Sequence, residues 1–173
     1  EISIPMSVTS IGNYSFFNCF LLTKILIPSS LASIGNSAFS GCLKIAEITI
    51  PSSVISIENS TFSGCSSLTK IVIPSSVTSI GDYAFYNCLS LTEISIPSSV
   101  ISIGNYAFYK CSKLTKISIP SSLASIENSA FIGCSNLTQI SIVRCQEKRL
   151  DYIDNKLLVF KSEFKKKHMI FLF

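Results

Sequence analysis

One interval, 23 residues, organises most of this sequence. All six prolines follow it, as do six of the seven cysteines, and no insertion interrupts the series. The recurring positions are Pro5, Pro28, Pro51, Pro74, Pro97 and Pro120, and Cys19, Cys42, Cys65, Cys88, Cys111 and Cys134. Self-similarity at a fixed period is typical of chains that stack short structural units. The sequence therefore predicts six stacked repeats over residues 1–142.

The first half of each repeat has the pattern of a short strand. In one copy, Leu91, Ile94 and Ile96 point inward, and Ser95 alternates with them toward solvent. Pro97 lacks a backbone N–H and cannot continue a central ladder, so it should end the strand. The two serines after the proline then form a corner.

The second half predicts another short strand and a turn. Val100 to Ile103 is a β-branched stretch, and apolar residues then recur at every third position from Phe108 through Cys111 to Leu114. That spacing suits one turn of 3₁₀ or α helix. A single coil cannot bury its own apolar face, but coils stacked about 4.8 Å apart can, with identical residues forming ladders in the core.

The L-x-x-I-x-I pattern of Leu91 to Ile96 resembles the leucine-rich repeat, and the full unit through Cys111 resembles the BspA-like subclass of surface proteins. The resemblance covers residues 1–142. It implies a leucine-rich-repeat solenoid, a right-handed curved superhelix with short parallel strands on the concave side and 3₁₀ or helical turns on the convex side. The loop Asn usual in leucine-rich repeats is absent, and the Pro-Ser-Ser corner stands in its place. A parallel β-helix is the competing architecture, which the turn disfavours.

The resemblance also implies a function. BspA-like proteins are surface proteins, so we expect a cell-surface adhesion or recognition protein that binds host or matrix proteins. An intracellular scaffold or regulatory subunit of a signalling complex is the main alternative, and a purely structural spacer is the third.

Charge and composition argue against other classes. Residues 1–142 hold six Lys and six acidic residues, whereas residues 143–173 hold eight basic and four acidic ones, so the whole excess of +4 lies in the tail. A repeat array that binds nucleic acid would carry that excess itself. The only histidine is His168, and no catalytic, metal-ligating or cofactor-binding motif occurs. No apolar run is long enough for a transmembrane helix. We expect neither an enzyme nor a cofactor.

The cysteines have three interpretations: metal ligands, disulfides or buried thiols. Metal sites favour close pairs such as C-x-x-C, which do not occur here. The inward register favours unpaired thiols that act as small hydrophobic residues. Cys145 is out of register and is the candidate reactive thiol.

Two sets of positions vary between copies and are candidate binding residues. On the concave strand, Lys24, Glu47, Lys70, Glu93 and Lys116 alternate in sign, which predicts either a self-neutralising ladder or a recognition face. Leu26 and Val72 in the next column predict an apolar contact patch.

The second set is a tyrosine cluster. Tyr83, Tyr86, Tyr106 and Tyr109 fall in two adjacent repeats, where other repeats have mostly Ser, Gly or Ile. Aromatic residues are enriched in binding hot spots, but stacked tyrosines that pack on one another fit the pattern equally well.

The ends depart from the repeat. Residues 143–173 predict a β-hairpin-like cap with a basic tail, and Met169 to Phe173 form a candidate further strand. Lys165 to Lys167 followed by apolar residues also fits a membrane-surface anchor. The first strand has no cap before it, which predicts end-to-end self-association.

Overall fold

The computed structural model describes residues 1–126 and 129–141, together with the backbone of residues 142–143 and 170–172. Each repeat forms one coil, and the six coils begin at residues 1, 24, 47, 70, 93 and 116. The strand that opens each coil belongs to a front face, and these strands are β1 (Ile2–Ser3), β3 (Ile25–Leu26), β5 (Glu47–Thr49), β7 (Lys70–Val72), β9 (Glu93–Ser95), β11 (Lys116–Pro120) and, after the sixth coil, β13 (Gln139–Val143). The second strands are β2 (Ser10–Ile11), β4 (Ser33–Ile34), β6 (Ser56–Ile57), β8 (Ser79–Ile80), β10 (Ser102–Ile103) and β12 (Ser125–Ile126).

All strand pairs among β1 to β13 are parallel and one repeat apart. Ile2 pairs with Ile25 on the front face, and Ser79 pairs with Ser102 on the second face. The front strands form three ladders, β1–β3, β5–β7 and β9–β11–β13, and the second strands form two, β2–β4 and β6–β8–β10–β12. Equivalent residues of successive coils therefore lie side by side. The prediction of a parallel-strand solenoid of about six turns is confirmed.

Identical residues form the core ladders that the period predicts. Phe39, Phe62, Phe85 and Phe108 are each at most 1% exposed. Their rings stack nearly parallel along the solenoid, with centroids 5.2 to 5.7 Å apart. Burying one such side chain stabilises the fold by about 1.5–3 kcal/mol, and each ring is covered by the same ring of the next coil.

The segment predicted as a 3₁₀ or helical turn forms successive β-turns, and no residue of the described chain is helical. Bonds to the residue three positions earlier do occur, as from Ser40 N to Ser37 O at 3.1 Å. However, Ser37 and Gly41 have left-handed φ of 53° and 77°, which a right-handed helix cannot contain. Intervening amides bond to the next coil instead, as from Phe39 N to Thr61 O at 2.9 Å. The helical detail is therefore not confirmed.

The corner after each front strand is a β-turn closed across Pro-Ser-Ser, as from Val100 N to Pro97 O at 3.1 Å. In β5, β7 and β9 the strand ends before the proline, as the missing N–H predicts. In β11 the strand instead continues through Pro120, which pairs with Val143. The prediction is wrong for this coil because Val143 replaces the next proline and retains an N–H, while Pro120 still offers its carbonyl.

One further strand follows the array. β14 (Ile170–Leu172) pairs in parallel with β13, with Phe171 in register with Ile140. The further strand predicted near Met169 is thus present and covers one edge of the front sheet. The predicted hairpin, the basic tail, His168 and Cys145 lie outside the described residues.

Candidate functional site

The front face carries the predicted ladder of alternating charges. Glu47 pairs in register with Lys70, and Glu93 with Lys116, so opposite signs are direct neighbours. These side chains are exposed, and in the described part of the chain the one ion pair joins Lys24 to Glu1, at 3.2 Å. Both partners of that pair are more than half exposed, so it stabilises the fold by at most about 1 kcal/mol. Glu1 occupies the same column, a member that the sequence reasoning missed.

The apolar column beside the charges is exposed but interrupted. Leu26 is 45% exposed and Val72 is 64% exposed. Thr49 lies between them and pairs in register with Val72. Leu26 and Val72 are therefore separated by a hydroxyl side chain, and their role as a contact patch stays a prediction.

A groove runs across the front face over the later coils. It has a volume of about 470 Å³, and its walls include Lys70, Val72, Glu93 and Lys116 together with Ser118. It combines two cations, one carboxylate, an apolar spot and hydroxyl groups. The front-face candidates from coil 4 onward thus meet in one concavity, whereas Lys24, Leu26 and Glu47 do not line it.

The four predicted tyrosines form a square on the turns of coils 4 and 5. Tyr83 stacks on Tyr106 with centroids 5.2 Å apart, and Tyr86 stacks on Tyr109 at 5.1 Å. Within each coil the rings meet edge to face, at 5.8 and 5.5 Å. The rings therefore pack on one another and still remain partly accessible, so the two interpretations of the cluster are compatible.

The tyrosine square and the groove are separate surfaces. None of the four tyrosines lines the groove. Lys110 places its Nζ 5.3 Å from the Tyr109 ring centroid, a cation–π arrangement. The structure therefore offers two candidate surfaces of different chemistry.

The cysteine ladder consists of free thiols, and five of the six are buried. The Cys88 thiol donates to the Phe62 carbonyl of the preceding coil at 3.2 Å, and the other buried cysteines do the same at 3.1 to 3.2 Å. Burial raises the pKa of Cys42 to about 11 and raises that of Cys88 further. Neutral thiols are poor nucleophiles, so the ladder is structural. This confirms the interpretation as buried unpaired thiols.

A column of Asn and Asp side chains ties the coils together, and the sequence reasoning missed it. Oδ1 of Asn13 accepts from the Asn36 backbone N–H at 2.7 Å, and Oδ1 of Asn59 accepts from that of Asp82 at 2.8 Å. Asp82 repeats the contact with Asn105 at 2.7 Å. These side chains supply a polar link between coils, at a different place in the repeat from the usual loop Asn. The signal was available, because all six copies have Asn or Asp there.

Two features are absent from the described part of the chain, a membrane-spanning helix and a cluster of metal-ligating side chains. No helix there is long and apolar enough to cross a membrane. No three His, Cys, Asp or Glu side chains in that part are grouped so that they could hold a metal ion.

Comparison of the sequence with known families matches the profile of the BspA type leucine-rich repeat region, in six copies, over residues 1–89 and 66–165. No curated protein matches the sequence.

Solved structures share the fold. A leucine-rich repeat protein of T. pallidum superposes with a TM-score of 0.71 at 26% identity, over 96% of this chain and 85% of that one. A leucine-rich repeat protein of Eubacterium ventriosum gives 0.64 at 27% identity, over 87% of this chain and 44% of that one. The pneumococcal vaccine antigen PcpA gives 0.72 at 20% identity, over 98% of this chain and 40% of that one, a likeness of fold alone.

Proposed function

Because the chain belongs to the BspA-type leucine-rich-repeat family, a family of protein-interaction modules, we propose that it is a cell-surface recognition protein that binds a host or matrix protein through its front face. The family resemblance supports the surface location. The fold is generally non-enzymatic, and the described ladders are accounted for by stacking.

The observation that carries the proposal is the groove of about 470 Å³ on the front sheet. Its exposed charged, apolar and hydroxyl side chains belong to columns that change from coil to coil, whereas the buried isoleucines that also line it, Ile71, Ile94 and Ile117, are constant. Because the exposed positions are free of stacking constraints, the identity of their residues can vary to match a ligand. Lys70 and Lys116 flank Glu93 in this groove, so the groove favours a partner that presents acidic groups around a central basic one.

A charge-reversal experiment tests the proposal. The array is immobilised and exposed to solubilised matrix and host-cell surface proteins, and captured protein is quantified by mass spectrometry. The variant Lys70→Glu with Lys116→Glu makes the groove wholly acidic and should reduce capture at least tenfold. Lys44→Glu with Lys113→Glu makes the same charge change on exposed turn residues outside the groove and should leave capture unchanged. Equal capture by both variants would contradict a front-face site.

The second candidate, an intracellular scaffold, is favoured by the six free cysteines, since disulfides prevail in oxidising compartments. Protease treatment of intact source cells separates the two candidates. Loss of the array from the cell sample supports the surface, whereas full protection that ends only on lysis supports the interior.

A further inference from the structure

The turn face carries a recess between two pairs of aromatic residues. Coil 1 presents Tyr14 and Phe17 at two turn positions, and coil 4 presents Tyr83 and Tyr86 at the same positions. The coils between them have only serine there. These residues, Ser37, Ser40, Ser60 and Ser63, are called the serine trough. The turn backbones stack evenly through these coils by inter-coil hydrogen bonds, so the small side chains leave a depression between larger ones.

The width of the trough follows from the stacking. The buried phenylalanines of the same turns step by 5.3, 5.7 and 5.5 Å from coil 1 to coil 4, so roughly 16 Å separates the centres of the aromatic walls. An extended chain with side chains on both faces is about 10 Å thick, which is the spacing of packed sheets. One extended segment of a partner therefore fits between the walls.

The wall in coil 4 has free aromatic faces. Tyr83 uses one ring face to stack on Tyr106, and its other face is turned toward coil 3, where Ser60 is too small to cover it. Tyr83 is accordingly 41% exposed, whereas Tyr106 is less exposed. The left-handed φ of Tyr83, 56°, is shared by Tyr14, Ser37, Ser60 and Tyr106 and therefore belongs to the turn of the repeat.

The trough is acidic. No Lys or Arg occurs in residues 35–41, 58–64 or 81–87, whereas Glu58 and Asp82 lie within them. Oε1 of Glu58 accepts from Ser56 Oγ of the same coil at 2.6 Å, and Oδ1 of Asp82 accepts from Asn105 N of coil 5 at 2.7 Å, so one oxygen of each carboxylate is engaged. In the floor, Ser37 is only 9% exposed.

We infer that the serine trough binds an extended, arginine-bearing segment of a partner protein, an inference that rests on the proposed role as a protein-interaction module. A guanidinium stacks on an aromatic face and forms paired hydrogen bonds with carboxylates, so one arginine can contact Tyr83 while reaching Asp82 or Glu58. Lysine, a compact and strongly hydrated point charge, fits this geometry less well. The mix of tyrosine, serine, glycine and asparagine around the trough is also that of antibody binding loops.

The test uses two labelled synthetic peptides, (Arg-Gly)₄ and (Lys-Gly)₄, titrated against the full chain by fluorescence anisotropy. The arginine peptide should bind at least threefold more tightly than the lysine peptide. The variant Ser60→Tyr with Ser63→Tyr fills half of the trough with the residues that coil 4 already tolerates, and it should weaken the arginine peptide at least fivefold. Glu58→Gly with Asp82→Asn, which introduces the residues of other coils, should remove most of the preference for arginine.

The matched control is Ser129→Tyr with Ile132→Tyr, which adds the same aromatic pair in coil 6, on the other side of the tyrosine square. It should bind as the unmodified chain does. Equal binding by the filled variant and this control would overturn the inference, as would a neutral oligosaccharide probe, cellohexaose, that binds at the trough when the arginine peptide does not. Suppose that charge reversal in the front-face groove (Lys70→Glu with Lys116→Glu) abolishes capture of matrix protein, while Ser60→Tyr with Ser63→Tyr keeps both capture and peptide binding. The trough inference then fails and the proposed function stands.

Discussion

Phe85 and Tyr86 are neighbours in the same turn, yet they differ in burial and in how much their positions vary between coils. Phe85 is fully buried, and phenylalanine occupies that position in all six coils. Tyr86 is partly exposed, and its equivalents are Phe17, Ser40, Ser63, Tyr109 and Ile132. A buried residue must match the coils above and below it, whereas a surface residue need only fit the turn. The solenoid thus separates residues that hold the coils together from residues available for recognition.

The largest expected effect on stability comes from the buried residue of this pair, Phe85. Phe85→Ala removes one ring from the continuous stack and should lower the free energy of unfolding by about 3–5 kcal/mol. Tyr86→Ser, which places the coil 3 residue in coil 4, loses only surface stacking and should cost no more than about 1.5 kcal/mol. Urea denaturation monitored by circular dichroism measures both. Equal losses would show that the outer column is as structural as the inner one.

Alkaline pH should lower the stability of the fold through the buried thiols of the core. The folded-state pKa values of Cys42, Cys65 and Cys88 are raised by burial, so these groups stay protonated after the unfolded chain ionises above about pH 9. Their stabilisation is complete below pH 9 and falls as the pH rises toward the folded values, by about 1 kcal/mol per thiol between pH 9 and 10.

Urea titrations across that range measure the effect. Cys88→Ala should show a slope shallower by one thiol, although its stability at pH 7 is lower. A pH profile identical to that of the unmodified chain would contradict the assignment of a raised pKa to Cys88.

The Asn and Asp side chains lie at the surface but still bond to the next coil, so their loss should have an intermediate effect on stability. Asn59→Ala leaves the Asp82 amide without its acceptor and should cost about 1–3 kcal/mol. Hydrogen exchange should accelerate at Asp82. Asn136→Ala, an exposed asparagine in a later turn, should change neither stability nor exchange.

The smallest effect is expected on the front face. Glu47→Lys places a cation between Lys24 and Lys70 and should cost about 0.2–1 kcal/mol in thermal unfolding at low salt. Because exposed charges are screened, the loss should vanish near 1 M NaCl. Glu47→Gln removes the attraction without adding repulsion and should cost less. A loss that persists at high salt would show that the ladder acts through packing rather than charge.

The sequence by itself determined the architecture, since 23-residue spacing leaves identical residues one coil apart. It also determined which residues are buried, because Phe, Cys and Ile recur at fixed positions, and in a parallel stack each is covered by the same residue of the next coil. The four tyrosines were identified as neighbours for the same reason. Periodicity could not predict the backbone conformation of the turn. Its apolar residues have the spacing of a helix, yet residues with left-handed φ such as Ser37 prevent one from forming. The turn amides bond to the next coil instead, a contact that the spacing does not show.

Only the tertiary structure decided how the varying columns combine. Val72 and Lys116 share a groove because packing of the front strands shapes one concavity, which Leu26 and Glu47 do not line. For the polar ties between coils, the sequence marks the position with Asn or Asp in all six copies, but coordinates were needed to show that its Oδ1 accepts from the backbone 23 residues later. The period defines which residues meet, and the path of the backbone decides what surface they make.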